Sequence, residues 1–367
     1  MRGVLVASLV LATGCDRVFG LATVDAGVDS PDGAIGPDAQ TCFGSHLVTF
    51  CLQAPPLDRF DVIPSTEDMI DTDSAACIAH SGPADLCVVA AGTFRIQGAL
   101  HAIGSRPLVL VAISSLEISS TGLVDVSSTR TLAGAGAEPT DCLPFTTTAT
   151  TSGGGAGGSF AGSGGNGGSA NGAKASAIGT AGHLRGGCSG SRGGGGTNTG
   201  NALSGHGGGA VYLMAGASIA IAGTVDASGG GGAGGIGSNP AAGGAGGGGS
   251  GGMIGIEAPA VAITGFVFAN GGGGGEGGGS TSAGNGAAGA EPTAPDVPAA
   301  GGANLSMNGG DGGDGAFLTT RNGKLGATPM ALPIPSSYGA GGGGGGIGVI
   351  LVYPVQTFGM NVSPPPG

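Results

Sequence analysis

The sequence predicts an all-β protein: a short parallel β-helix of about five coils, interrupted by long glycine-rich excursions and closed at its N-terminal edge by a disulfide-pinned cap. Three observations carry this. A segment of alternating aliphatic residues recurs along the chain. The 88 glycines among 367 residues crowd between the recurrences. An even set of cysteines lies in the part of the chain that would be exported.

The first element is a signal peptide over residues 1–14. Arg2 supplies one positive charge, Val4 to Ala12 is apolar or small, and Ala12-Thr13-Gly14-Cys15 follows. An apolar run of about nine residues falls well short of the roughly twenty that cross a bilayer. Ala12-Thr13-Gly14-Cys15 resembles the bacterial lipobox, with Leu11 one place earlier than the usual leucine. The resemblance implies lipidation of Cys15, a membrane anchor through that lipid, and a cell-envelope location with the outer membrane or cell surface favoured. Residues 15–40 are acidic, contain proline and glycine and carry few large apolar side chains, so they read as a tether.

Residues 41–86 show too little apolar periodicity for a core of their own and read as the cap that covers the first strand edge. Cys42, Cys51, Cys77, Cys87, Cys142 and Cys188 are the disulfide candidates. Six cysteines allow fifteen pairings. Short loops favour Cys42 with Cys51 and Cys77 with Cys87, which leaves Cys142 with Cys188. A zinc site is a weak reading, because there is no CxxC pair and His46, His80, His101, His183 and His206 are far from ligand spacing.

The repeat follows. Ala210 to Ser228 and Gly252 to Asn270 align without a gap from Val211 on Met253, placing Ile219 on Val261, Ile221 on Ile263, Gly223 on Gly265 and Val225 on Val267. Gly346 to Gly359 aligns on Gly252 to Gly265. Leu116, Ile118 and Gly122-Leu123-Val124-Asp125 form a fourth copy, and Phe94, Ile96, Gly98, Leu100 and Ala102 a fifth. Each copy is three short alternating runs broken by glycine, which reads as strand, corner, strand, corner, strand. One such unit cannot bury its apolar face alone, so the copies must stack. The coils are placed at 87–128 (two), 210–270 (two, with a glycine-rich insert at 229–251) and 346–367 (the last, with the C-terminus). The segments 129–209 and 271–345 are the long excursions. They are read either as flexible loops or as polyproline-II-like strands packed side by side because no Cβ holds them apart.

The lipobox, the paired aliphatic coils and the glycine runs together resemble the glycine-rich, uncharacterised surface lipoproteins of the myxobacterial type. Separately, the coils resemble the parallel β-helix of adhesins, autotransporter passengers and polysaccharide lyases. The first resemblance implies no activity, and the second implies fold alone.

Composition narrows the function. A formal charge of −12 with no basic stripe excludes nucleic acid as a partner. Disordered chains are poor in aliphatic residues and rich in charge, whereas this one is 40% hydrophobic and 9% charged. Asp311 and Asp314 lie in one glycine-aspartate nonapeptide and are a weak calcium candidate, because a working site needs such repeats in tandem. Asp125 and Asp226 recur at one repeat position, where two carboxylates about one coil apart would suit glycoside hydrolysis, but Phe268 occupies the same place in the next copy. There is no GxSxG elbow, and no GxGxxG is followed by GK[ST]. The sequence therefore points to a non-catalytic envelope protein with a structural or adhesive role, no cofactor, and a cell-surface glycan or matrix as partner. The alternative is a β-helix protein that binds or cleaves extracellular polysaccharide.

Overall fold

A computed structural model describes residues 41–169, 171–179, 181–196, 200–281, 284–329 and 338–367. The signal peptide, Cys15 and the tether lie outside these residues. Among the described residues every regular element is a β-strand, and no helix is long and apolar enough to cross a membrane.

Six segments each run first through one parallel sheet and then through a second. After β1 (Cys42–Phe43) and β2 (Phe50–Leu52), the first segment comprises β3 (Leu57–Val62) and β4 (Glu67–Asp71). β5 (His80–Ser81) intervenes before β6 (Cys87–Ile96) and β7 (Ala99–Ile103), then β8 (Leu108–Ile118) and β9 (Leu123–Asp125). The fourth segment is β10 (Ala210–Ala215), β11 (Ser218–Ile221) and β12 (Thr224–Asp226), and the fifth β13 (Met253–Glu257), β14 (Ala260–Ile263) and β15 (Phe266–Phe268). The last is β16 (Val349–Tyr353) with β17 (Val362–Ser363). One sheet is ordered β17-β15-β12-β9-β7-β4 and is parallel throughout; the other joins β3, β6, β8, β10, β11, β13, β14 and β16, also parallel. Both sheets are open.

Alternation decides what faces the space between the sheets. Phe94, Ile96, Leu116, Ile118, Ile219 and Ile221 enter from one side and Leu100, Val124, Val225 and Val267 from the other, all buried in one core. The larger sheet is covered on its second face too. Val88, Val109, Val111, Tyr212 and Met253 pack under Phe43, Phe50, Phe160 and Leu184. Burial on both faces explains why Val88-Val89-Ala90-Ala91 and Leu108 to Ala112 are continuous apolar runs and not alternating ones.

Three sequence expectations need correction. The stack begins at 57–71, inside the proposed cap of 41–86, because β3 and β4 pair in parallel with β6 and β7. Their core-facing residues are few, chiefly Phe60, Val62 and Ile70, and the charged residues between them hide the period. Ala210, not Val211, lies opposite Met253. The link from β10 to β11 is one residue longer than its counterpart, and only this register turns Val211 and Ile254 into the same core. In the last copy Val349 lies opposite Met253, two residues from the gapless alignment, a shift that leaves the alternation intact.

The glycine-rich segments are packed, not loose. Residues 339–348 donate backbone hydrogen bonds at every third position to 269–278 (Gly342 N to Gly275 O, Gly345 N to Gly272 O). The next position in each triplet addresses 152–158 (Gly343 N to Gly155 O), and the third addresses 321–327 (Gly344 N to Lys324 O). Their carbonyls accept from 245–251, 161–168 and 310–316 in the same rotation, so six segments surround one. A Cβ at Gly341, Gly342, Gly343, Gly344 or Gly345 would overlap a neighbour's carbonyl oxygen. Glycine is required here because the backbones touch.

Disulfides Cys42–Cys51, Cys77–Cys87 and Cys142–Cys188 are formed, the pairs that loop length favours. The first holds the antiparallel sheet β1-β2-β5 that covers the larger parallel sheet; the third ties 142 to the glycine segment at 188.

Candidate functional site

The two aspartates singled out by their repeat position do meet. Asp125 lies opposite Asp226 on neighbouring strands, His101 lies opposite Asp125, and Phe268 follows Asp226. Because Val124 and Val225 face the core, this row stands on the outer face of the smaller sheet. His101 Nδ1 is 2.9 Å from Asp125 Oδ2. Asp125 Oδ1 accepts from Ser127 N and Asp226 Oδ1 from Ser228 N, each 2.8 Å, so both carboxylates also close the bend that leads into the glycine segments. Burial, then the neighbouring Asp125 charge and that of Glu291, push the Asp226 pKa up to about 8. One carboxyl kept neutral beside one partnered by histidine is the electrostatic pattern of an acid–base pair. Asp125 and Asp226 are half-buried and Phe268, opposite Asp226, is buried, so the row is largely covered and not open to a substrate.

A second cluster was invisible in sequence. Ser45 Oγ donates to Glu257 Oε1 at 2.7 Å, His46 Nδ1 lies 2.9 Å from Ser45 Oγ and 3.1 Å from the same carboxylate oxygen, and Tyr212 donates to Glu257 Oε2 at 2.8 Å. The composition is that of a nucleophile, a base and an acid, but the connectivity is wrong. A working triad uses opposite nitrogens of the imidazole for the nucleophile and the orienting carboxylate, whereas here one nitrogen meets both. The His46 ring stacks on Tyr353 at 3.8 Å, so the cluster clasps the 41–52 segment onto β13 and β16. Burial and the Glu257 charge push the Tyr212 pKa up, which keeps its hydroxyl a donor. Gly255 lies opposite Tyr212 because a Cβ there would strike the tyrosine ring.

Of the remaining candidates, Asp314, His206 and His183 are paired within the chain, and Asp311 is exposed. Asp311 and Asp314 lie on one glycine segment whose carbonyls at those positions accept from Ala327 N and Lys324 N. Asp314 also accepts from Lys324 Nζ and Gly301 N. Burial works to raise its pKa, but Lys324 and the Gly301 amide together outweigh burial and the pKa is lowered. Among the described residues no group of three His, Cys, Asp or Glu could hold a metal. His206 pairs with Glu138 at 2.7 Å, a carboxylate 68 residues away that spacing could not have shown. That hydrogen bond raises the histidine pKa against the opposing effect of burial. His183 faces Asp141 at 3.3 Å. No protein-family model, curated protein or solved structure matches this chain.

Proposed function

We propose that this protein is a non-catalytic cell-envelope lipoprotein, tethered through lipid on Cys15, with a structural or adhesive surface role. In this reading the six stacked segments are coils of a short parallel β-helix. The glycine-rich segments are polyproline-II-type helices, whose three residues per turn and rise of about 3.1 Å account for hydrogen bonds that return to the same neighbour at every third residue. That three-residue period is the observation on which the reading rests. It describes glycine-rich chain used as a rigid spacer, while the titratable clusters are consumed in holding the frame together. The anchor is tested on Cys15→Ser, which should abolish labelling by a palmitate analogue; retained labelling would sink the lipoprotein assignment. The adhesive role is tested by whole-cell and glycan-array binding.

A second reading, binding or cleavage of polysaccharide, draws on the Asp125 and Asp226 row alone. It requires reducing-end release that Asp125→Asn and Asp226→Asn both abolish.

A further inference from the structure

The glycine segments all run between the sheets and one far end. Segments 227–238, 269–279, 161–168, 186–194 and 321–327 run antiparallel to 243–252 or 339–348, which lead back into β13 and β16. Their described turn residues, 171–172, 236–242 and 279–281, together with 150–152 and 303–308, therefore gather at the end opposite the sheets, roughly 30 Å away at about 3.1 Å per residue. The described residues of these turns are Gly, Ala, Ser, Thr, Asn, Pro, Ile, Leu and Met, without one Asp, Glu, Lys or Arg, in a chain whose net charge is −12. Lys174, Arg192 and Asp311 stand exposed a few residues back from these turns along their segments.

One turn is held with unusual firmness. Glu276 is 1% exposed, and its carboxylate accepts from Leu305 N, Ser306 N and Ser306 Oγ at 2.8 to 3.0 Å and from Ala287 N at 2.8 Å. Asn304 and Asn308 bracket the turn in the left-handed region, at φ 62° and 73°. Between them Leu305 is 65% and Met307 82% exposed, with Ile236 at 40% on an adjacent turn. Burying a carboxylate is costly, and left-handed backbone at non-glycine residues adds strain. Both serve here to fix a loop that presents Leu305 and Met307 to water beside Asn304. A fixed loop loses little freedom on binding, and apolar anchors inside a neutral polar rim are the anatomy of a protein interface.

We propose that this end of the glycine bundle is a self-recognition surface, at which a second copy of the chain docks end to end through Leu305 and Met307. Charge selects the occupant. Two copies of net charge −12 repel across most of their surface, and the uncharged end is where they can meet without that cost. The absence of basic residues in these turns disfavours an anionic membrane, and the absence of aromatic residues in them leaves no ring there for a sugar to stack upon. The inference rests on the adhesive reading and makes it homotypic.

The test is sedimentation equilibrium of the full chain carrying Cys15→Ser, so that lipid cannot drive association. A reversible dimer is expected, tightened and not loosened by salt. Met307→Asp and Leu305→Ser should each weaken it by about tenfold or more with unchanged circular dichroism, whereas Leu325→Asp, equally exposed but on the flank, should leave it unchanged. A chain monomeric at all concentrations, or a dimer insensitive to Met307→Asp, overturns the proposal, as does a monomer that instead binds neutral phosphatidylcholine vesicles through Met307. Palmitate labelling and binding to cells would survive that failure, so it is separable from failure of the lipoprotein reading.

Discussion

Ile221 and Ala220 are joined by one peptide bond, yet the first is 1% exposed in the core and the second faces water. Ile221 lies between Ile118 and Ile263 in neighbouring strands, so Ile221→Asp would bury an unpaired carboxylate and should cost several kcal/mol. Ala220→Asp should be near neutral. Equal damage from both, read by chemical denaturation, would contradict the register. Asp226 makes the opposite kind of prediction, since its folded pKa stands at about 8 against a usual value of 3.8. The fold favours its neutral form, so this residue's contribution is fully present below about pH 4 and is lost as pH rises towards 8. Asp226→Asn retains an oxygen for Ser228 N and should raise the melting temperature at pH 8 while changing little at pH 4.

At the scale of elements, the two parallel sheets and the glycine segments obey different rules. A strand tolerates any side chain that suits the face it points to, whereas a glycine segment surrounded by six others has no outward face at all. Gly343→Ala would set a methyl against Gly165 O and should cost about 1–3 kcal/mol by overpacking. Gly182 has nothing within 4 Å of an added Cβ, and Gly182→Ala should stay within about 0.5 kcal/mol of the parent. Thermal unfolding of the pair separates steric demand from composition. Edges are managed unequally as well. β3 and β4 carry Asp58, Arg59, Asp61, Glu67, Asp68 and Asp71 on the first edge of the stack, a charged border that deters pairing with another sheet.

For the whole molecule, strands and glycine segments form one hydrogen-bonded body, with 228 and 270 leaving the smaller sheet into the bundle and 252 and 348 returning to the larger. Buried backbone amides with protein acceptors exchange slowly. Amides of 243–252, 269–278 and 339–348 should therefore exchange as slowly as those of β8 and β10 in a hydrogen–deuterium measurement. Exchange within the dead time across these segments would return them to the flexible-loop reading.

The alternating repeat was legible in residues such as Phe94, Leu116, Ile219 and Val261, because period-two burial writes itself locally into a strand. The loop-length preference among cysteines and the shared repeat position of Asp125 and Asp226 were legible for the same reason. Other features have no local signature. The segment 57–71 hides its rung behind edge charges, and the one-residue register of β10 on β13 depends on which side chains a second sheet will bury. The Ser45, His46 and Glu257 clasp joins residues more than 200 positions apart. Glycine content alone leaves open both disorder and order, since it removes the obstacle to close backbone contact without saying which backbone will come. Sequence by itself determined the all-β class and the repeat. Only the tertiary structure decided what each glycine touches, because a hydrogen bond between distant backbones is specified by where the whole chain brings them and not by the residues on either side.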